Sequence, residues 1–151
     1  VGTRMIQAVE AADQQTEDLT KQMRMSDKEY ENLLSIVEAE AGGEDLEGRI
    51  MVADVILNRV ASDQFPDNVT SVIWDRTGGS PQFSPTEDGR IYTVTVSDDT
   101  REAVNRAIDG EDLSQGALYF IARDQADEKN VKWFDEKLTF LFEHGGHSFY
   151  A

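Results

Sequence analysis

Apolar residues at Tyr30, Leu33, Leu34, Ile36 and Val37 recur at three- and four-residue spacing, which predicts an amphipathic helix. Ser26-Asp27-Lys28-Glu29 opens it with the S-x-x-E form of a capping box. Gly42-Gly43 is expected to close it through left-handed dihedrals. From about Leu46 to Val60 the chain is apolar around most of a helical circumference, as expected of a central core helix. Pro66 and Asp67-Asn68 mark a turn, and Val69–Trp74 reads as a short helix. Ser97 or Asp98 caps a further helix that buries Ala103, Val104, Ala107 and Ile108 and ends at Gly110. Upstream, Thr3–Met25 carries only a loose stripe of Ile6, Val9, Leu19 and Met23. Residues 1–25 therefore read as a lead-in helix or linker, and residues 26–151 as the functional domain.

The texture changes after Thr77. Thr77-Gly78-Gly79-Ser80-Pro81 reads as a loop and Gln82-Phe83-Ser84 as a short extended piece. Asp88-Gly89 is a hairpin signal, and Ile91–Val96 alternates with β-branched residues. Residues 77–96 are thus expected to form a small β lobe. Ala117–Ala122 reads as a buried extended segment. Leu138–Phe142 and His147–Tyr150 flank His144-Gly145-Gly146 as a closing hairpin. The expected class is α+β: a mainly helical lobe, a small β lobe and a ligand cleft between them.

The chain length of 151 residues fits one domain with one sizeable core. A net charge of −16 speaks against non-specific nucleic-acid binding and against attraction to an anionic membrane surface. Neutral sugars, cationic ligands and metal ions stay open. The absence of cysteine excludes disulfides, thiol nucleophiles and thiolate metal sites. No apolar run reaches the roughly 18 residues of a membrane span. Val1–Met25 shows no secretory-signal pattern, and residue 1 is not Met, which leaves room for an upstream segment.

Glu40 is the candidate catalytic residue. It lies three, four and seven residues after Val37, Ile36 and Leu33, so it continues their apolar stripe one turn from the helix end. Burial and the negative end of the helix dipole both favour its protonated form, which a general acid needs. Glu38 falls on the opposite side and is expected to be solvated. The aromatic residues Phe83, Tyr92, Tyr119, Phe120, Trp133, Phe149 and Tyr150, with polar Gln82 and Ser84, offer stacking faces and hydrogen bonds for a sugar. Of the aromatic residues, Phe120, Phe140 and Phe142 read as core. His144 and His147 stand three apart across a Gly-Gly turn, a poor metal spacing, and His147 reads as an orienting or structural histidine. There is no G-x-S-x-G and no nucleotide-binding glycine motif.

The blocks AEAGGEDLEG (39–48), VADVILNRV (52–60), QFSPTEDGRI (82–91), GALYF (116–120) and GGHSFY (145–150) occur in that order. Together they resemble the SleB/CwlJ family of spore-cortex-lytic cell-wall hydrolases. The resemblance implies a lysozyme-like fold related to resuscitation-promoting factors and lytic transglycosylases. It implies cleavage of the MurNAc–GlcNAc bond of peptidoglycan in the spore cortex or cell wall, outside the cytoplasm, by a monomer with no cofactor. Carried over by position, the catalytic glutamate falls on Glu40, and recurrent cleft residues fall on Gln82, Ser84, Tyr119 and His147. With the aromatic Phe83 and Trp133 these make the candidate substrate-binding set.

Ala122-Arg123 stands where relatives often have Asn-Pro, and Gly42 replaces a basic residue common in the first block. A peptidoglycan-binding domain like that of some relatives is not read upstream. A single acid fits a lytic transglycosylase, whereas hydrolysing glycosidases normally use two carboxylates. The alternatives are an N-acetylmuramoyl-L-alanine amidase or other metal hydrolase using His144 and His147, and a non-catalytic glycan-binding module.

Overall fold

The computed structural model describes residues 25–77 and 79–151, so the lead-in helix expected over Thr3–Met25 lies almost wholly outside the described residues. Helix α1 is Asp27–Ala41, opened by a complete Ser26–Glu29 capping box. Helix α2 is Leu46–Ala61, capped by Asp45, whose side chain accepts from the Gly48 N–H at 2.8 Å. Helix α3 is Val69–Ile73, capped by Asn68. Helices α4 (Pro85–Asp88) and α5 (Arg90–Thr93) are single turns. Helix α6 is Asp98–Ile108, capped by Ser97. Strand β1 is Tyr119–Ile121, helix α7 is Glu128–Lys137, and strands β2 (Phe140–His144) and β3 (His147–Tyr150) close the chain.

Helix α2 is the core helix, with Ile50 through Ile56 buried without interruption. It packs on α6, α1 and α3. The three strands form one antiparallel sheet in the order β1-β3-β2. Every residue of the central β3 is buried. Phe149 pairs with Phe120 on one side and Phe142 on the other, so an aromatic layer ties the sheet to the helical core. The class is α+β, mainly helical with a small sheet.

The sheet is not where the sequence pattern put it. Among the described residues of 77–96 there is no strand; α4 and α5 lie there instead. Pro85 starts a helical turn, and Gly89, at φ +85°, ends it instead of joining two strands. Burial here is not alternating: Ile91 enters the core while Tyr92 and Thr93 face out. The β lobe is built instead from the extended segment and hairpin of the last third. Two smaller expectations also change. Gly42 keeps right-handed dihedrals at φ −62°. A Cβ there would overlap the Glu38 carboxylate and carbonyl, so close approach accounts for this glycine. Glu38 is half-buried and partnered, not simply solvated: Oε1 accepts from the Ser97 N–H at 2.7 Å and the Thr100 hydroxyl at 3.1 Å, tying α6 to α1.

Asp54 is a charged residue inside this core, 3% exposed. It accepts the Leu113 N–H at 2.9 Å and so holds the loop that leads into β1. Burial pushes its carboxyl up to about 7; the Leu113 bond opposes this, and Asp112 and Glu111 add to it. Between about pH 4 and 7 the folded chain keeps a proton that the unfolded chain has released, so stability falls as pH rises and levels off above the folded pKa. Asp54→Asn keeps an acceptor and removes that slope. It is expected to gain about 2–4 kcal/mol relative to the parent between pH 4 and pH 8, measured by urea unfolding at both pH values.

Candidate active site

Glu40 lies in the last turn of α1, partly covered, with its carboxyl pushed up to about 7. Burial is the main cause; the Arg90 charge pulls the other way and Asp88 pushes further up. The helix end is not left bare. Arg49 of α2 donates to the Ala41 carbonyl at 3.3 Å and the Gly42 carbonyl at 2.6 Å, placing a cation where the dipole is negative. Desolvation, rather than the dipole, raises Glu40.

The turn after Glu40 is gripped by the β2–β3 hairpin. Glu44 Oε1 accepts the Gly146 N–H at 2.9 Å, and Asp45 Oδ1 meets His144 Nε2 at 2.8 Å. His147 is buried between Phe120 and Phe149, with ring centroids 5.2 and 6.2 Å away. Its Nδ1 lies 3.7 Å from Glu44 Oε1, beyond hydrogen-bond length, and among the described residues it is a buried side-chain nitrogen without a hydrogen-bond partner. Burial lowers the pKa of the ring, while the Glu44 charge and the Glu40 main chain raise it. His147 therefore backs the main chain of Glu40. Gly145 sits at φ +56°, and a Cβ there would strike Glu44 Oε1. Gly145→Ala is expected to cost about 1–2 kcal/mol and to lower the urea midpoint.

Arg59, 3% exposed, organises the other flank. Its Nε donates to the Leu118 carbonyl at 2.7 Å and its Nη1 to Gln82 Oε1 at 3.3 Å. The guanidinium lies 4.7, 5.1 and 4.9 Å from the rings of Phe65, Phe83 and Tyr119. Three of the expected substrate-binding residues, Gln82, Phe83 and Tyr119, thus converge on one buried cation. Trp133, 46% exposed on α7, stands edge-on to Tyr119 at 6.1 Å. Phe83, however, is 3% exposed and packs against Phe120 at 5.9 Å, so it serves the core and offers no face to a sugar. Ser84 is exposed and accepts from Arg90 Nη2 at 3.0 Å.

Arg59 and Arg90 were not singled out from the sequence. The available signal for Arg59 was a charge on a helix otherwise apolar nearly all round. A hollow of about 370 Å³ beside Met25, Tyr30 and Ile108, and another of about 570 Å³ between Arg123 and α7, both lie away from Glu40.

The pattern of the family described as Cell Wall Hydrolase matches residues 43–150, most of the chain. The chain belongs to the cell wall hydrolase family. The matched segment starts just after Glu40, and takes in both hairpin histidines and Arg59. The chain is 41% identical over 101 residues to the spore cortex-lytic enzyme of Halalkalibacterium halodurans, covering 67% of this chain and 29% of that protein. Its identity to the Bacillus subtilis spore cortex-lytic enzyme is 40% over 101 residues, covering 67% and 32%. The chain thus spans about a third of the length of these relatives. Among solved structures, it is similar to the catalytic domain of the germination-specific lytic transglycosylase SleB from Bacillus anthracis. That likeness has a TM-score of 0.70 and 32% identity, and covers 83% of this chain and 96% of the other. The catalytic domain of the Bacillus cereus SleB protein gives a TM-score of 0.69 at 32% identity, covering 84% and 92%. In this chain the turn after α1 lies against the β2–β3 hairpin.

Proposed function

We propose that this cell wall hydrolase domain cleaves the MurNAc–GlcNAc bond of peptidoglycan as a lytic transglycosylase, with Glu40 as the sole acid and then base. The observation that carries this is the placement of Glu40 in the last turn of α1, beside the turn that the β2–β3 hairpin grips, where burial pushes its carboxyl up to about 7 and lets one group give and retake a proton. Protonated Glu40 donates to the bridging oxygen as the bond to C1 breaks. The carboxylate then takes the proton of the muramoyl C6 hydroxyl as that oxygen bonds C1, leaving an anhydro sugar. Gln82, Ser84, Tyr119 and Trp133 are the residues we assign to the glycan strand, and His147 steadies the backbone of Glu40.

The other carboxylates near the site are occupied, which favours the single-acid route. Asp88 is bound through both oxygens to Arg90. Glu38 is taken by Ser97 and Thr100, and Glu44 by Gly146. The relatives named as spore cortex-lytic enzymes and the solved lytic transglycosylase domain support the same reaction class. They also support a place of action outside the cytoplasm, at the cortex or wall; no described helix is long and apolar enough to cross a membrane. The metal-hydrolase reading finds no observation in its favour: among the described residues no group of three or more His, Asp or Glu side chains is placed to hold a metal ion.

Digestion of purified sacculi followed by mass spectrometry tests the proposal. Anhydro-muramic ends are expected. Reducing muramic ends would replace the transglycosylase with a hydrolase, and release of free stem peptide would replace both with an amidase.

A further inference from the structure

Helix α1 runs into Gly42-Gly43, yet its last turn does not close in the usual way. The final carbonyls of a helix have no partner within it, and a glycine in left-handed dihedrals commonly turns the chain back to satisfy them. Gly42 stays right-handed, at φ −62°. Arg49 of α2 takes over that task. It is 9% exposed, and its Nε donates to the Ala41 carbonyl at 3.3 Å and its Nη2 to the Gly42 carbonyl at 2.6 Å. One planar fork thus grips the peptide units that follow the acid. The remaining nitrogen, Nη1, lies 3.4 Å from Asp99 Oδ2 on α6, and the Asp99 side chain is 74% exposed. So exposed a partner adds little, and the two carbonyls account for where the guanidinium sits.

The same helix fixes the other flank of the site. Arg59, ten residues further along α2, holds the Leu118 carbonyl and Gln82 and lies against the ring of Tyr119. Ten helical residues set these two positions about 15 Å apart along the axis. Between them α2 is buried from Ile50 to Ile56, so the spacing is held by close packing. The charges that bear on the Glu40 carboxyl are those of Arg90 and Asp88, so Arg49 reaches the acid through the main chain.

We infer that Arg49 is a positioning residue for Glu40: by holding the Ala41 and Gly42 carbonyls it registers the acid against α2, the helix from which Arg59 anchors Gln82 and Tyr119. This rests on the glycosidase reading of Glu40. Acid and glycan contacts then share one rigid reference. Loss of Arg49 shifts the acid and leaves the glycan contacts in place.

Arg49→Met fills the same space without the donors. It is expected to lower kcat on soluble peptidoglycan strands by about ten- to a hundredfold with KM unchanged, the cost of an acid displaced by about 1 Å. Arg49→Lys keeps the charge without the fork and is expected to recover part of that loss. Asp99→Asn removes only the exposed ion pair, and its kcat is expected to stay within about twofold of the parent. Full activity in Arg49→Met, a loss carried by KM, or an equal loss in Asp99→Asn overturns the inference. Amide hydrogen exchange gives a measure independent of turnover. The Gly42 and Glu44 N–H groups donate to the Glu38 and Ala41 carbonyls at 2.9 Å each. Relative to core amides of α2, they are expected to exchange about tenfold faster in Arg49→Met, and unchanged exchange overturns the inference. If Arg49→Met does not fold, Arg49→Lys carries both measurements. A parent that cleaves no strand removes the glycosidase reading alone; the exchange rates then retain or reject Arg49 as the hold on the turn.

Discussion

Glu40→Gln is expected to lower glycan cleavage by about a hundred- to ten-thousandfold, the range lost with a general acid. The amide keeps the size and position of the side chain, so the fold survives. It also removes a burial cost. With its folded carboxyl raised to about 7, Glu40 holds a proton that the unfolded chain releases near pH 4.5. The parent thus loses stability as pH rises across that window, and above it the full penalty stands. The variant escapes the penalty and is expected to be more stable at pH 8 by about 1–3 kcal/mol. Loss of activity with a rise in melting temperature is the expected joint signature, read by muropeptide release and by calorimetry. A variant that loses activity by unfolding would lower the melting temperature instead. In the parent, cleavage should decline above about pH 7 as the acid is titrated. A folded Glu40→Gln protein with full turnover would end the assignment.

Arg59→Ala is expected to cause the largest loss of stability, about 3–5 kcal/mol. It strips the donor from the half-buried Leu118 carbonyl, releases Gln82, and removes the cation that sits against three rings. Burial already draws the Arg59 pKa down to about 10, so the site is dry enough for these bonds to count. Arg59→Lys keeps a charge without the planar fork and should fall between the two. The denaturation midpoint in urea measures the loss. Under conditions where the variant remains folded, KM for glycan should rise, because Gln82 and Tyr119 lose their common anchor. Unchanged stability in Arg59→Ala would show that the guanidinium is not the hub its contacts describe.

The helices were legible because their signals are local. Ser26, Asn68 and Ser97 cap as their side chains predict, and the stripe through Leu33, Ile36 and Val37 points Glu40 inward. The small sheet was legible as strands but not as a place: the Asp88-Gly89 signal belongs equally to the end of a helical turn, and the structure uses it that way. Helix α7 was missed because its apolar stripe is short: Val131, Phe134 and Leu138 recur at helical spacing but are only half-buried, and the helix buries no residue fully. The partners of Glu38 and Glu44 were beyond reach for another reason. Ser97 stands 59 residues from Glu38, and Gly146 stands 102 residues from Glu44. No local pattern encodes such pairs.

The grip of the last hairpin on the turn after Glu40 bears on the order of assembly. The side chains that buttress the acid come from opposite ends of the described chain, so the acid is armed only when nearly all of the domain has come together. A chain lacking residues 140–150 would lose the Glu44–Gly146 and Asp45–His144 contacts that hold the turn after Glu40, and with them His147 behind the Glu40 main chain.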